Sequence, residues 1–384
     1  MPQKIYLDFN STHPPNREAL ATARAFYLEN YANSSGLSLA SQNVNKRIEE
    51  AREEIASLFG ITSAQVIFTS CATESNNLLI REFRSKKAAE NFRVLSSPFE
   101  HPSVSECLKN LPNTQIDYLA AQSNGALAPF SAAQAYDLIT MMAVQNESGV
   151  VLPVDLLRAE TYPVLVDFSQ ALPKLARDAE GILSLPSVAT LTQRGIYLTA
   201  TGHKVGAGFG AGLILTPPGR GRLAQSVLLA GGNQEFALRA GSHNTEAIIA
   251  LAEALKFKLS ANSHSQWRKV TGEFSDALSP MLNKLPGACI VGENTMRAPG
   301  TLLLMLPGVA IDFLIMALDR EGITVSTGTS CKSRSRSPSA ALMAMGYNEQ
   351  QALSVIRLSF DQNLTAQEIA YTVKVLGDSV DRLR

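Results

Sequence analysis

Short apolar runs, each followed by small or polar residues, alternate with helical patterns through the first 216 residues. Repetition of this order predicts a mostly parallel sheet with helices on both of its faces, which is an α/β fold. The clearest helix covers 40–59, where an apolar stripe stops at Gly60. The predicted strands cover 4–9, 66–69, 93–97, the run 143–150 within 138–154, 164–170, 198–201 and 213–215.

Charge and cysteine content exclude several classes of protein. The 34 basic and 34 acidic residues cancel without forming a block of like charge, so we expect neither a nucleic-acid partner nor a membrane surface. The four cysteines show no CxxC pair and no ligand spacing with histidine, so we expect no metal site and no disulfide framework. The first ten residues lack an apolar signal core, and the apolar run 301–318 is interrupted by Pro307, Gly308 and Asp312. A cytoplasmic protein that acts on small molecules is expected.

The stretch 198–208 ends an apolar run in small residues and places Lys204 directly after His203. A lysine amine with its ordinary pKa near ~10.4 is a poor nucleophile at neutral pH, and it reacts with aldehydes only where its surroundings disfavour the ammonium form. A crowded, glycine-rich strand end can do so, although a solvated loop lysine is the simpler alternative. We interpret Lys204 as a cofactor-bearing lysine.

Other polar residues follow the predicted strands in a way that suits pyridoxal phosphate, which needs a lysine, an acid for its ring nitrogen, a flat group over the ring and a phosphate cradle. Asp167 ends the strand before that of Lys204, and His101 stands at a strand-to-helix corner. Thr73 has the position of a helix N-cap, where free N–H groups bind phosphate. The glycines at 206, 208, 210 and 212 fit no G-x-G-x-x-G register, so a dinucleotide site is disfavoured and close backbone passage is expected.

Eight segments occur in the order and rough spacing of the NifS/IscS-type cysteine desulfurases, a branch of the class V aminotransferase family. They are TSCATESNN, EHPSV, QNESGVVLPV, VDFSQALPK, TGHK, GGNQEFALRAGS, STGTSCKS and IRLSF. The resemblance covers nearly the whole chain and implies pyridoxal 5'-phosphate and fold type I. It implies a large domain at 14–258 with a mostly parallel seven-stranded sheet, and a smaller α+β domain formed by 1–13 and 259–384.

The resemblance also implies roles for individual residues. Lys204 would bond the cofactor aldehyde and move the proton at Cα, Asp167 would pair with the ring nitrogen, and His101 would stack on the ring and shuttle protons. Further contacts to the cofactor would come from Ala72, Thr73, Asn146, Gln170, Thr201 and His203.

The remaining implied roles concern the substrate and the second subunit. Arg357 would bind the carboxylate of L-cysteine, and Asn146 would orient the bound amino acid. Cys331 would attack the substrate sulfur and carry it as a persulfide for a protein sulfur acceptor, such as an iron–sulfur scaffold or a sulfur carrier, leaving L-alanine. Ser242 resembles a phosphate ligand supplied across a subunit interface, so a homodimer with shared active sites is expected.

Two alternatives stay open at the level of the sequence. One is another enzyme of the same family, such as a selenocysteine lyase or an aminotransferase, in which Cys331 is dispensable. The other is a catalytically quiet dimeric scaffold, suggested by departures from the family pattern at His13, Cys71 and Phe168 that put substrate access in doubt. The basic residues Lys332, Arg334 and Arg336 either help to deprotonate Cys331 and face an acidic acceptor or are simply solvated.

Overall fold

The computed structural model of the chain describes residues 4–87, 91–129, 136–159, 162–174, 185–221, 223, 228–261, 263–328 and 337–384. Cys331 and the three basic residues Lys332, Arg334 and Arg336 lie outside these described residues. In the part of the chain that is described, no helix combines the length and the apolar character needed to cross a bilayer.

A seven-stranded sheet forms the centre of the larger part of the molecule, as predicted. Its strands are β2 (Val66–Thr69), β3 (Phe92–Ser96), β4 (Thr114–Tyr118), β5 (Leu138–Met142), β6 (Val164–Asp167), β7 (Ile196–Thr201) and β8 (Gly212–Leu215). Their order is β2-β8-β7-β6-β5-β3-β4. The strand β8 runs antiparallel to both of its neighbours, and the other six strands share one direction. Every residue of β5, β6 and β7 is buried, as expected for strands covered on both faces.

The polar ends of the parallel strands meet at one edge of this sheet. Asp167 is in register with Thr199 of β7 and Met142 of β5, so the residues that follow these strands emerge side by side. Open α/β sheets bind their ligands at this edge, because the loops that leave it are free to carry functional groups.

A strand was predicted within 138–154, and one is present, but the run 143–150 is not part of it. The strand is β5, and the following residues form a tight turn in which Gln145 Oε1 accepts hydrogen bonds from the N–H of Glu147 and the hydroxyl of Ser148. Gly149 has φ +77°, which favours glycine at this position. The apolar residues on both sides of the turn hid its position from the sequence pattern.

Eleven α-helices accompany the sheets in the described residues. They are α1 (Arg17–Glu29), α2 (Leu39–Phe59), α3 (Ala72–Ser85), α4 (Pro102–Lys109), α5 (Val188–Gln193), α6 (Thr245–Ala261), α7 (His264–Leu282), α8 (Ile311–Arg320), α9 (Ala340–Ala344), α10 (Glu349–Leu353) and α11 (Ala366–Leu383). The predicted helix at 40–59 is α2, and Gly60 ends it in the left-handed conformation. The Ser339 side chain caps α9 by accepting from the N–H of Leu342.

A second hydrophobic core lies beside two small sheets. One sheet pairs β1 (Ile5–Tyr6) with β11 (Ile323–Thr324), and the other contains β9 (Cys289–Ile290), β10 (Thr301–Met305) and β12 (Val355–Ser359). Ile5 and Leu7 pack into this core together with apolar residues between 270 and 380. The domain boundaries at 13/14 and 258/259 stay a prediction.

Candidate active site

A cavity of about 480 Å³ opens at the edge of the sheet where β5, β6 and β7 end. Among the residues predicted from the sequence, those that line it are Ala72, Thr73, His101, Asn146, Asp167, Gln170, Thr201, His203, Lys204 and Arg357. Ser242 is exposed and does not line the cavity within its own chain. Residues from all parts of the chain therefore meet here.

Lys204 reaches the cavity through a single 3-10 turn, Gly202–Lys204, that directly follows β7. Burial lowers the pKa of its amine from 10.5 to about 8, with the negative charge of Asp167 opposing the shift and the positive charge of Arg357 adding to it. A larger fraction of the amine is therefore neutral and nucleophilic near neutral pH than in a solvated lysine.

Asp167 ends β6 and is 6% exposed. Its Oδ1 accepts from the N–H of Ser169 at 2.9 Å, and its Oδ2 accepts from Asn76 Nδ2 at 3.1 Å. Asn76 is fully buried on α3 and accepts in turn from Thr199 Oγ1 at 2.6 Å. Asn76 was not predicted from the sequence, although a polar residue on the buried side of an amphipathic helix is a signal that could have revealed it.

His101 is the N-cap residue of α4, and this role fixes its ring beside the cavity at the edge of the sheet. Its Nδ1 accepts from the N–H of Ser103 at 3.1 Å and lies 2.8 Å from the Ser103 hydroxyl. Burial lowers the pKa of His101, Asp167 opposes the shift, and Lys204 adds to it. A neutral, flat ring in this position suits stacking on an aromatic ligand.

The turn between β2 and α3 offers free donors for an anion. The prediction that Thr73 is the N-cap is wrong, because the helix starts at Ala72 and the N-cap is Cys71, whose side chain makes no capping hydrogen bond. The first N–H groups of α3 therefore have no side-chain partner at the cap. A Cβ atom at Gly212 would lie 2.6 Å from the carbonyl carbon of Cys71, so this glycine allows the close backbone passage that was expected.

His203 and Thr201 line the same cavity as this turn. His203 Nδ1 lies 3.2 Å from Thr12 Oγ1, and its ring stacks on Phe209 with 5.1 Å between the ring centroids. Burial and the charges of Lys204 and His101 lower the pKa of His203 to about 4, so the ring is neutral at physiological pH. Thr201 is buried at the end of β7.

Gln170 is held by a residue that the sequence analysis missed. Its Nε2 donates to the carbonyl oxygen of Asn10 at 2.9 Å, while Asn10 Nδ2 donates to the carbonyl oxygen of Asn146 and to Thr301 Oγ1. The Oε1 atom of Gln170 is buried and has no hydrogen-bond partner in the described part of the protein. Gln170 thus presents a free acceptor to a ligand.

Arg357 lies in the middle of β12 and is 3% exposed. Its guanidinium donates to Asp8 Oδ1 at 2.7 Å, to Ser11 Oγ at 2.7 Å and to the carbonyl oxygen of Asn146 at 2.9 Å. A ligand carboxylate that binds Arg357 therefore competes with Asp8, which the sequence analysis did not identify.

Glu147 is a further buried carboxyl group in the wall of the cavity. It accepts from the Ser339 hydroxyl at 2.7 Å, and Gly328 lies against its side chain. Burial raises the pKa of Glu147 to about 7, while the Ser339 hydrogen bond and Arg357 oppose the shift. Glu147 was not predicted, because a single Glu in a turn carries no pattern of its own.

The three departures from the family pattern lie in different surroundings. Cys71 is half-buried and lines the cavity, whereas Phe168 is buried in the large core and does not line it. His13 Nε2 lies 2.8 Å from Lys258 Nζ, away from the cavity wall, and burial and Lys258 lower its pKa to about 4. Only Cys71 is therefore placed to affect what enters the cavity.

The described residues contain no cluster of three or more His, Cys, Asp or Glu side chains that could hold a metal ion. A family model for class V aminotransferases matches residues 5–371. The chain belongs to this family. The predicted family and its cofactor, pyridoxal phosphate, are thus confirmed.

Relatives within the family agree along nearly the whole chain. Cysteine desulfurase 2 of Trichormus variabilis is 30% identical over 391 residues, which cover 99% of this chain and 94% of the relative. Cysteine desulfurase of Nostoc sp. is 29% identical with the same coverage. A solved structure of a NifS-like protein has a TM-score of 0.83 and 25% identity, and the match covers 99% of this chain and 100% of that one. The predicted fold, in which a mostly parallel sheet is flanked by helices, is confirmed.

Proposed function

We propose that this class V aminotransferase-family protein is a cysteine desulfurase that converts L-cysteine to L-alanine with Lys204, Asp167, His101 and Cys331 in the roles given below. The observation that carries the residue assignment is Lys204, a buried amine with its pKa lowered to about 8, beside Asp167 at the sheet edge. The nearly full-length likeness to cysteine desulfurases supports the reaction.

The cavity residues fit pyridoxal phosphate. The uncapped N-terminus of α3 suits its phosphate, and the buried acceptor Gln170 Oε1 suits its ring hydroxyl. The neutral ring of His101 suits its aromatic face. When bound, this cofactor supplies an electron sink for negative charge at the substrate Cα.

Lys204, Asp167 and His101 have separate roles around the cofactor. Lys204 Nζ bonds the cofactor and later holds the proton taken from Cα, because its lowered pKa lets it both accept and release a proton near neutral pH. Asp167 holds the ring nitrogen protonated with its buried carboxylate. His101 covers the ring and excludes water from one face.

Substrate orientation is assigned to Arg357 and Asn146. The guanidinium presents two parallel N–H donors that match a carboxylate, and the peptide oxygen of Asn146 already holds one side of it. Binding of L-cysteine in this way exchanges part of the contact between Arg357 and Asp8 for the carboxylate of the substrate.

The sulfur step is assigned to Cys331 on the sequence of its segment, since its position lies outside the described residues. Its thiolate attacks the substrate sulfur, a new S–S bond forms, and the bond between that sulfur and Cβ breaks. The electron pair of the broken bond stays on the carbon skeleton, which becomes alanine after protonation. Cys331 then carries the sulfur for a protein acceptor, such as an iron–sulfur scaffold or a sulfur carrier.

The quaternary structure and the location are part of the same proposal. Ser242 is exposed and lies outside the cavity of its own chain, which supports its assignment to the phosphate site of a second copy in a homodimer. The protein is assigned to the cytoplasm, and no interaction with nucleic acid is proposed, because its charges balance without forming a basic block.

The test is incubation of the purified protein with L-cysteine, followed by measurement of alanine, sulfide and keto acid and by mass analysis of the protein. We expect a yellow protein, alanine as the product, and one additional sulfur on the peptide that contains Cys331. Lys204→Ala should lose the covalent cofactor, and borohydride reduction of the native protein should fix the cofactor on Lys204. A keto acid as the main product would identify an aminotransferase instead, and an unmodified Cys331 at full turnover would identify a lyase that needs no protein thiol.

A further inference from the structure

Glu100 connects the ends of two neighbouring strands of the large sheet, β3 and β5, by hydrogen bonds. It lies between β3 and α4, and its Oε1 accepts from the Ser97 hydroxyl at 2.7 Å and from the N–H of Met142, the last residue of β5, at 2.8 Å. Asp167 at the end of β6 is close enough for its charge to act on Glu100. Glu100 also lines the cavity, although none of the roles described above uses it.

The hydrogen bonds of Glu100 are divided unequally between its two oxygens. Oε1 accepts both donors, while Oε2 has almost no exposed surface and no hydrogen-bond partner among the described residues. An ionised carboxylate seeks donors for both oxygens, whereas a protonated carboxyl group has one carbonyl oxygen that accepts and one hydroxyl that does not need a donor. The lack of a donor at Oε2 therefore disfavours the ionised form of Glu100.

Asp167 shows the opposite pattern. Each of its oxygens accepts one hydrogen bond, from the N–H of Ser169 and from Asn76 Nδ2, and it attracts the positive charge of Lys204. Two carboxyl groups at one buried site do not both ionise easily, because like charges repel strongly in a low-dielectric environment. Of the two, Asp167 has the surroundings that stabilise a negative charge.

We propose that Glu100 is a positioning residue of the cofactor site, held as a neutral acid so that Asp167 is the ionised member of this pair of carboxyl groups where β3, β5 and β6 end. The inference rests on the proposed function in one respect, namely that Asp167 is the acid for the cofactor ring nitrogen. Ionisation of Glu100 would add a second negative charge next to Asp167 and change the field at the ring.

The electrostatic surroundings of Glu100 agree with this geometry. Burial first and Asp167 second raise the pKa of Glu100 to about 8, while the hydrogen bonds from Ser97 and Met142 oppose the shift. The other titratable or charged residues that line the cavity in the described ranges are Cys71, His101, Glu106, Lys109, Glu147, His203, Lys204 and Arg357.

The test measures proton release when the protein unfolds. In the unfolded chain a glutamate is ionised above its ordinary pKa of 4.5, whereas Glu100 in the folded protein keeps its proton up to about pH 8. Unfolding between these pH values therefore releases a proton from Glu100, so its presence makes the protein less stable as the pH rises through this range. The variant Glu100→Gln keeps the shape of the neutral acid and removes this proton.

Calorimetric unfolding at pH 6 to 7, in buffers with different ionisation enthalpies, should show that the native chain releases about one proton more than Glu100→Gln. The melting temperature of Glu100→Gln minus that of the native chain should increase from pH 5 to 8 and then level off. Glu106→Gln is the matched control, because the Glu106 carboxylate is exposed and ion-paired with Lys109, and it should show no such increase. Equal proton release by the native chain and Glu100→Gln would overturn the proposal.

A second measurement covers the case in which Glu100→Gln does not fold. At pH 7.5, infrared spectra of the native full chain, as purified, should contain the absorption of a protonated carboxyl group. As the pH rises, this absorption should disappear with a midpoint near pH 8. The same absorption should be present in Glu147→Gln, because it belongs to Glu100. Absence of that absorption from Glu147→Gln would overturn the proposal. Both measurements can be repeated after removal of the cofactor. Failure of the proposed function would be seen as no bound cofactor and no alanine, whereas failure of this inference would be seen in the proton release and the infrared spectra.

Discussion

The lowered pKa of Lys204 predicts how the rate of cofactor bonding depends on pH. At pH 7.5 an amine with a pKa of 10.5 is neutral in ~0.1% of molecules, whereas an amine with a pKa of about 8 is neutral in ~24%, a difference of roughly 240-fold. The rate at which cofactor-free protein bonds pyridoxal phosphate should therefore rise with pH and level off above about 8. Capture by N-acetyl-lysine methylamide, measured alongside, corrects for the titration of the cofactor itself.

Two substitutions should move this midpoint in opposite directions. Asp167→Asn removes a negative charge that raises the pKa of Lys204, so the midpoint should fall. Arg357→Gln removes a positive charge that lowers the pKa, so the midpoint should rise. Borohydride reduction and peptide mapping check that the captured cofactor is on Lys204. A rate that keeps rising up to pH 10, or a shift of both variants in the same direction, would refute burial as the cause of the reactivity.

Three further predictions concern the site and its packing. Asp167→Ala should lower the turnover number in every reaction while the cofactor still binds. Arg357→Ala should chiefly raise KM, by roughly tenfold to a hundredfold, because a charged hydrogen bond to the substrate is lost. Equal, mild effects of the two substitutions would contradict both assignments. Cys331→Ser should keep the yellow colour and bind cysteine without forming a persulfide, as mass analysis can show; release of alanine and sulfide at the native rate would exclude the thiol mechanism. Gly212→Ala should lower the free energy of unfolding by about 1–3 kcal/mol, because its Cβ would overlap the backbone of the turn between β2 and α3. Gly272→Ala is the control in the same melting experiment, because Gly272 lies on α7 with open space around it.

The fold was predictable where the apolar pattern was strong. Helix α2 buries a stripe of large side chains, and both of its ends carry capping residues, Ser38 and Gly60, so the sequence pattern matches its bounds closely. Helix α1 was missed, because the residues that it buries are the small Ala19 and Ala23, which leave little hydrophobic periodicity. Packing against α6 stabilises α1, and that contact is absent from local sequence.

Strand boundaries were harder to predict than strand identity. The whole of β5 is buried, so it shows no alternation, and its apolar run continues through Ala143 and Val144 beyond Met142, the last residue of the strand. The end of the strand depends on the turn held by Gln145, whose side chain replaces strand partners. A local side-chain hydrogen bond of this kind has no signature in the apolar pattern.

The site was predictable for residues that follow strands of the large sheet, because parallel strands bring their ends together. Lys204, Asp167 and His101 were found in this way. Asn76 and Glu100 were missed because their functions depend on a partner in another element rather than on residue type and position alone. Buried polar groups of this kind become visible only when both ends of each hydrogen bond are known.

The N-terminal segment explains why the substrate side of the cavity could not be worked out from local patterns. Asp8 pairs with Arg357 of β12, 349 residues away, and Asn10 joins Gln170 and Asn146 of the large sheet to Thr301 of β10. These contacts connect the two hydrophobic cores through the same short stretch of chain. The guanidinium that is proposed to bind the substrate is therefore oriented only when both cores are folded and the segment lies between them, so the carboxylate site is a property of the assembled molecule.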